Sequence, residues 1–233
     1  MLAGWNTRAE ALPEIMDDPH CDPIGLERTY RAFDTINAVI GGWRQVYTRD
    51  LRPLLIRPGG ATLLDVGCGG GDVARHLARW AARDRLSLRI TAIDADARAI
   101  QYAQALPTVP GVTYRQAMSG DLCAEAQRYD LVISNHLLHH LNAAEFTALL
   151  ADTEALCTGL AVHGDIERHP LAYAAYRAVT PFLFPGSFIR IDGLRSIRRS
   201  YTHLELALIA PPGWMARRQF PFRNLLMWRA THA

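Results

Sequence analysis

Two carboxylates bracket a glycine run in Leu64-Asp65-Val66-Gly67-Cys68-Gly69-Gly70-Gly71-Asp72, and a third acid, Asp94, follows 23 residues after Gly71. Glycines let a backbone approach a ligand closely and take up positive φ. Acids around them suit a cationic ligand. A pyrophosphate, by contrast, would be repelled by Asp72 at the start of the next helix, where an anion is otherwise welcome. The dinucleotide fingerprint also needs a small residue where Asp72 stands.

A carboxylate that ends a second strand can accept both hydroxyls of a ribose. Asp65, Asp72 and Asp94 together therefore fit a nucleoside with an ammonium group and no phosphate. S-adenosylmethionine is such a molecule.

A second constellation lies in Ser134-Asn135-His136-Leu137-Leu138-His139-His140-Leu141. Histidine is the side chain best suited to take a proton near neutral pH, as a phenol or enol acceptor requires. On a helix His136 and His140 share a face, with His139 turned about 100° away. His140 and then His139 are the candidate bases; walling the pocket is the competing role for each. Further along, His163, Asp165, Glu167, Arg168 and His169 cluster at the end of an apolar run. Asp165 or Arg168 can orient an acceptor there or belong to a solvated loop.

Composition excludes other chemistry. All 25 Lys+Arg residues of the 233 are arginine. Schiff-base catalysis and a phosphate loop ending in Gly-Lys-Ser/Thr are thus ruled out. A net charge of +2 is too balanced to argue for nucleic acid. Cys21, Cys68, Cys123 and Cys157 are far apart and show no CxxC spacing. They read as free thiols of a reducing compartment, with no zinc framework. No run is long enough to span a bilayer, and Met1 to Asp18 lacks the apolar centre of a signal peptide, so a cytoplasmic location is expected.

The elements that must position these residues change character near residue 60. Pro23 to Leu55 reads as helical, with Leu26, Tyr30, Phe33, Ile36/Asn37 and Ile40 recurring every three or four residues. Thereafter apolar runs alternate with helical segments. Strands are expected at Thr62–Val66, Leu88–Ile93, Val112–Gln116, Leu131–Ser134 and Leu160–Ile166. Helices are expected at Asp72–Arg83, Asp96–Leu106 and Glu145–Cys157. That alternation means right-handed βαβ units and a parallel sheet covered on both faces. Thr202 and Glu205 have capping-box spacing for a helix through Ala210. Trp214–Phe220 and Leu225–Arg229 then follow as an antiparallel hairpin.

The Asp65-x-Gly67-x-Gly69-x-Gly71 loop, Asp94 and the terminal hairpin resemble a class I S-adenosylmethionine-dependent methyltransferase over residues 60 to 233. The resemblance implies an α/β, doubly wound seven-stranded sheet of order 3-2-1-4-5-7-6 with strand 7 antiparallel. It implies that Asp65, Gly67, Cys68 and Gly69 hold the methionine part and Asp94 the ribose. Ala95, Met118, Ser119, Asn135 and His136 complete the cofactor site. The family's adenine-binding acid after strand three is not in register: Met118-Ser119 stand there and Asp121 comes two residues late.

Nucleic-acid amino-methyltransferases, cytosine C5 enzymes and arginine methyltransferases carry motifs absent here. Asn135 replaces the metal-ligating Asp of catechol enzymes, so no metal is expected. Thr29-Tyr30-Arg31-Ala32-Phe33-Asp34-Thr35-Ile36-Asn37 with Gly42-Trp43-Arg44 resembles the lid of ubiquinone/menaquinone-biosynthesis C-methyltransferases, with a shorter gap before Trp43. Tyr30 and Trp43 would cover the cofactor; Phe33, Arg168 and Tyr173 would face the substrate.

The expected organisation is a helical lid over 1–58 within the same domain, a methyltransferase domain over 59–233, and a substrate cover at about 170–200. Arg190, Arg195, Arg198 and Arg199 there form a solvated face or a contact for an anionic acceptor. The expected acceptor is a small hydroxylated aromatic, quinol or polyketide-like molecule. O-methylation is favoured over C-methylation, with a non-catalytic binding protein and a nicotinamide oxidoreductase as rivals. A homodimer is compatible with this reading.

Overall fold

The computed structural model describes residues 5–39 and 41–230; Ile40, counted above in the first apolar stripe, lies outside them. The strands are β1 (Ala61–Val66), β2 (Leu88–Asp94), β3 (Val112–Gln116), β4 (Tyr129–Asn135), β5 (Cys157–Ile166), β6 (Trp214–Gln219) and β7 (Arg223–Arg229). They form one sheet of order β3-β2-β1-β4-β5-β7-β6. β7 runs antiparallel to both β5 and β6, and the other pairings are parallel. The expected sheet order and antiparallel last strand are both found.

The helices are α1 (Pro23–Val39), α2 (Trp43–Val46), α3 (Arg52–Leu55), α4 (Asp72–Arg83), α5 (Ala97–Ala105), α6 (Ser119–Ala124), α7 (Ala143–Leu156), α8 (Pro170–Val179), α9 (Ile189–Arg199) and α10 (His203–Ile209). A π-helical turn, Tyr47–Leu51, joins α2 to α3. The continuous helix expected over Pro23–Leu55 is thus divided, because Gly42 sits at φ 67° and redirects the chain.

Alternation along the central strands sends side chains to two cores. Leu63, Ile90, Leu131 and Val162 point to one face, where they meet α4 and the Trp43–Leu55 stretch. Leu64, Ile93, Val132 and Ala161 point to the other, against Phe146, Leu149 and Leu150 of α7 and Leu206 of α10. Each fully buried aliphatic or aromatic side chain contributes roughly 1.5–3 kcal/mol. Among the described residues no helix is long and apolar enough to cross a membrane.

The N-terminal strap, residues 5–22, crosses the C-terminal edge of the parallel strands. It is fastened to α9: Ile15 N and Met16 N donate to the two carboxylate oxygens of Asp192, at 2.7 and 3.1 Å. Ala9 N donates to Arg198 O. Strap, α1, α8 and α9 therefore roof the crevice into which β1, β2, β4 and β5 open.

Candidate active site

The glycine loop is shaped by its neighbours. Gly71, at φ 77°, caps α4 in the left-handed region. A Cβ there would sit 2.4 Å from the Tyr114 ring, so this position admits only glycine. Gly69, at φ 53°, has open space where its Cβ would be, on the cavity side. The loop is tied to β2 by Cys68 N, which donates to Ile93 O, and by Gly69 N, which donates to Asp94 Oδ2 at 2.8 Å.

Three acids meet on this wall. Asp65 is buried, and its Oδ2 finds no hydrogen-bond partner among the described residues. Burial, then the charges of Asp72 and Asp94, hold its carboxyl well above the usual carboxylate range. Burial also pushes Asp72 up to about 6, against the hydrogen bond from Asn37 Nδ2 at 2.8 Å. Asp94 is raised by burial too, partly offset by the amides of Asp96 and Gly69. Negative charge without a counter-charge is costly here. The wall therefore fits a ligand that brings a cation.

All three line a cavity of about 720 Å³. Of the residues expected to hold the cofactor, Gly67, Cys68, Gly69, Ala95, Met118, Ser119, Asn135, His136 and Tyr30 also line it. Met118 lines the cavity with an exposed side chain. Asp121 does not reach the cavity; its carboxylate accepts from Met118 N and starts α6. Tyr30 and Phe33 of α1 reach the cavity as expected.

The opposite wall carries the histidines. His139 is buried, its Nδ1 2.7 Å from Asp165 Oδ1 and its Nε2 3.3 Å from Glu14 Oε1. Burial alone would lower it, but Asp165 and Glu14 overrule that and raise it to about 9. Asp165 is correspondingly held far below the carboxylate range against the effect of its burial, chiefly by the His139 charge. His140 is a quarter exposed, with Nδ1 3.3 Å from Asp17 and Nε2 3.7 Å from Glu14 Oε2. Burial would raise Glu14 and Asp17, yet both lie low because imidazoles, and for Asp17 also Arg199, face them. A group already holding its proton at neutral pH is a poor base. His139 is thus the poorer of the two candidate bases.

Several expectations change. His136 and His140 share no helix face: His136 takes φ 56° and only Leu138–His140 form a 3-10 turn. Burial drives His136 down to about 4 despite nearby Asp165, so it is a neutral wall residue. Trp43 does not cover the cofactor; at 1% exposure it belongs to the core beneath the sheet. Arg168 is buried away from the cavity, donating to Ser200 O, Trp5 O and Glu205. Tyr173 packs edge-on against Trp5, also outside the cavity lining.

The other residues in and just after β5 are structural. His163 is fully buried between the Ser134 and Thr153 hydroxyls and lowered to about 3 by that burial. Glu167 pairs with Arg218, and His169 Nδ1 caps α8. Arg199, read as part of a solvated or acceptor-facing stretch, is buried and pairs with Asp17 and Glu14.

Glu14, Asp17 and Asp192 were not singled out from sequence. They stand in a segment without a motif and on a helix 175 or more residues away, and only the strap brings them together.

Residues 63–159 match the family described as "Methyltransferase domain". Ubiquinone biosynthesis O-methyltransferase of Cereibacter sphaeroides is 33% identical over 118 residues, 49% of this chain and 45% of that protein. The same-named protein of Serratia proteamaculans is 36% identical over 97 residues, 39% of this chain and 38% of that one. The matches thus span less than half the length of these relatives.

Among solved structures, the plantazolicin methyltransferase BpumL in complex with SAH superposes with a TM-score of 0.66 at 14% identity, covering 95% of this chain and 96% of that one. Human N-acetylserotonin methyltransferase in complex with SAM superposes at 0.61 and 15% identity, covering 91% and 57%. The sheet order, the antiparallel last strand and these superpositions show the class I methyltransferase fold.

Proposed function

We propose that this chain, a methyltransferase domain of class I fold, binds S-adenosylmethionine and methylates a hydroxyl of a small acceptor. The observation that carries the reading is the buried carboxylate of Asp65, whose Oδ2 has no hydrogen-bond partner among the described residues, beside Asp94, both opening into a cavity whose far wall holds His140. The relatives named for O-methylation, matched over 49% and 39% of this chain, favour oxygen over carbon. When bound, the cofactor supplies a methyl group on a positively charged sulfur.

Asp65 would hold the ammonium and Asp94 the ribose hydroxyls, with Ala95, Met118 and Ser119 beside the adenine. The amide of Asn135, donating to Asn37 Oδ1 and accepting from Arg223 Nη2, stiffens the floor between the two walls. Tyr30 and Phe33 present an apolar surface that suits an aromatic or quinol acceptor. The strap and α9 close the cavity, so that much of the rate comes from positioning and exclusion of water. His140, oriented through Nδ1 by Asp17, takes the proton from the acceptor hydroxyl.

Calorimetry with S-adenosylhomocysteine, followed by incubation with labelled cofactor and a panel of phenols and quinols, tests this. The expected product gains one methylene in mass and an oxygen-bound methyl by NMR. A carbon-bound methyl would replace the oxygen reading; binding of NAD(P)H in place of S-adenosylhomocysteine would overturn the whole.

A further inference from the structure

We propose that Glu14, His139 and His140 form a binding site for one divalent metal ion of the zinc type. One donor atom from each lies within 4.8 Å of the other two. His139 Nε2 is 3.3 Å from Glu14 Oε1, and His140 Nε2 is 3.7 Å from Glu14 Oε2. Donors of a tetrahedral ion at ~2.0–2.1 Å stand about 3.3 Å apart, so these separations need little adjustment.

The back of each ring is held as metal-bound imidazoles are held. Asp165 Oδ1 is 2.7 Å from His139 Nδ1, and Asp17 Oδ2 is 3.3 Å from His140 Nδ1. Carboxylates in that place fix the tautomer and turn the Nε2 lone pair toward the ion. Ser196 Oγ donates to Glu14 Oε1 at 2.9 Å and steadies the third ligand. His139 Nε2 is itself buried, with Glu14 Oε1 at 3.3 Å as its polar neighbour and no well-aligned hydrogen bond among the described residues.

Charge points the same way. The carboxylates of Glu14, Asp17 and Asp165 face the two rings, and a dication bound at His139 Nε2 would take the place of the proton there, which leaves to solvent. Two imidazoles with one carboxylate suit zinc and its neighbours rather than magnesium. All three ligands line the main cavity, so the remaining position faces the acceptor.

Binding of the ion does not depend on the transfer reaction. Its role does rest on the hydroxyl-methylation reading: an acceptor oxygen at the open position would be polarised and release its proton to solvent. His140 would then serve as ligand and the ion would replace it as the activating group.

The test uses the full chain, stripped with a chelator and without cofactor. Zn²⁺ is titrated against a chromophoric chelator, and Co²⁺ is read by its visible spectrum. One equivalent is expected to bind, with the bands of a tetrahedral N/O site and no competition by Mg²⁺. Glu14→Gln and His140→Ala should each weaken it at least about tenfold, and Asp17→Asn by about 10-fold or more through the orientation of His140.

The proposal is overturned by absence of saturable binding, by affinity unchanged in both ligand variants, or by a thiolate charge-transfer band assigning the metal to the free cysteines. S-adenosylhomocysteine binding, measured on the same metal-free protein, separates the two readings. Cofactor binding without zinc binding removes only the ion and leaves His140 as the base; zinc binding without cofactor binding removes the methyl-transfer reading and leaves the ion.

Discussion

The two walls of the cavity handle negative charge in opposite ways. On the glycine-loop wall, burial raises Asp65, Asp72 and Asp94, the charges of the other two raise Asp65 further, and among the described residues no cation offsets this at Asp65. On the facing wall, Glu14, Asp17 and Asp165 are lowered, because imidazoles and Arg199 outweigh their burial. The first wall waits for charge that a ligand must bring. The second is compensated from within, so its acids hold the strap, the His139–His140 turn and β5 together before any ligand arrives.

The largest effects should therefore differ in sign between the walls. Asp165 accepts from His139 N, from His139 Nδ1 and from Ile166 N. Asp165→Ala strands a buried imidazolium and should destabilise the fold by about 3–5 kcal/mol, read from the urea midpoint. Asp65→Asn should do the reverse in the ligand-free protein. A carboxyl raised in the folded state makes its ionised form destabilising at neutral pH, and a neutral amide removes that burden. An unchanged midpoint in Asp165→Ala, or a lowered one in Asp65→Asn, would break the contrast.

The same division explains what could be read from the chain alone. The cofactor wall is nearly contiguous: a strand, a glycine turn, a helix and the acid ending the next strand. Each step is short, so residue order is spatial order. The facing wall is assembled from the strap, the β4–α7 turn, the end of β5 and α9. Glu14 and Asp192 carry no local pattern that could announce them. His136, His139 and His140 were visible as a cluster, but their relative directions depend on the left-handed backbone at His136. Trp43, Arg168 and Tyr173 have suitable chemistry and face the wrong way: tertiary packing turned Trp43 into core, Arg168 into a clamp on Glu205, and Tyr173 toward Trp5. The sheet order was legible because hydrophobic alternation and the closing hairpin specify it together.

Intermediate effects sharpen the cofactor wall. Asp94→Ala should weaken S-adenosylhomocysteine binding by about 1–3 kcal/mol, the range for hydrogen bonds to a charged group, measured by calorimetry. Trp43→Phe is the matched control. It should lower the unfolding midpoint, since Trp43 is in the core, and leave the cofactor affinity where it was. Loss of cofactor affinity in Trp43→Phe would return that ring to the cavity wall.

The smallest effect is a dependence on pH, and its sign distinguishes the walls once more. Asp72 faces Asn37, whose amide donates to it; the charge of His76 favours its ionised form, while that of Asp34 opposes it. Without ligand its carboxyl titrates at about 6, above the ordinary 3.8. The ligand-free fold thus gains stability from Asp72 as pH falls through about 6 toward 4, because the folded state binds that proton more tightly than the unfolded chain. A cationic cofactor has the opposite preference, since an ammonium favours the ionised carboxylate. Its affinity should therefore hold above pH 6 and decline below it, by no more than about tenfold per pH unit for one group. In Asp72→Asn the decline should vanish near pH 6. A slope that survives the substitution belongs to Asp65 or Asp94, and an affinity that rises on acidification would mean that these acids do not meet a cation at all.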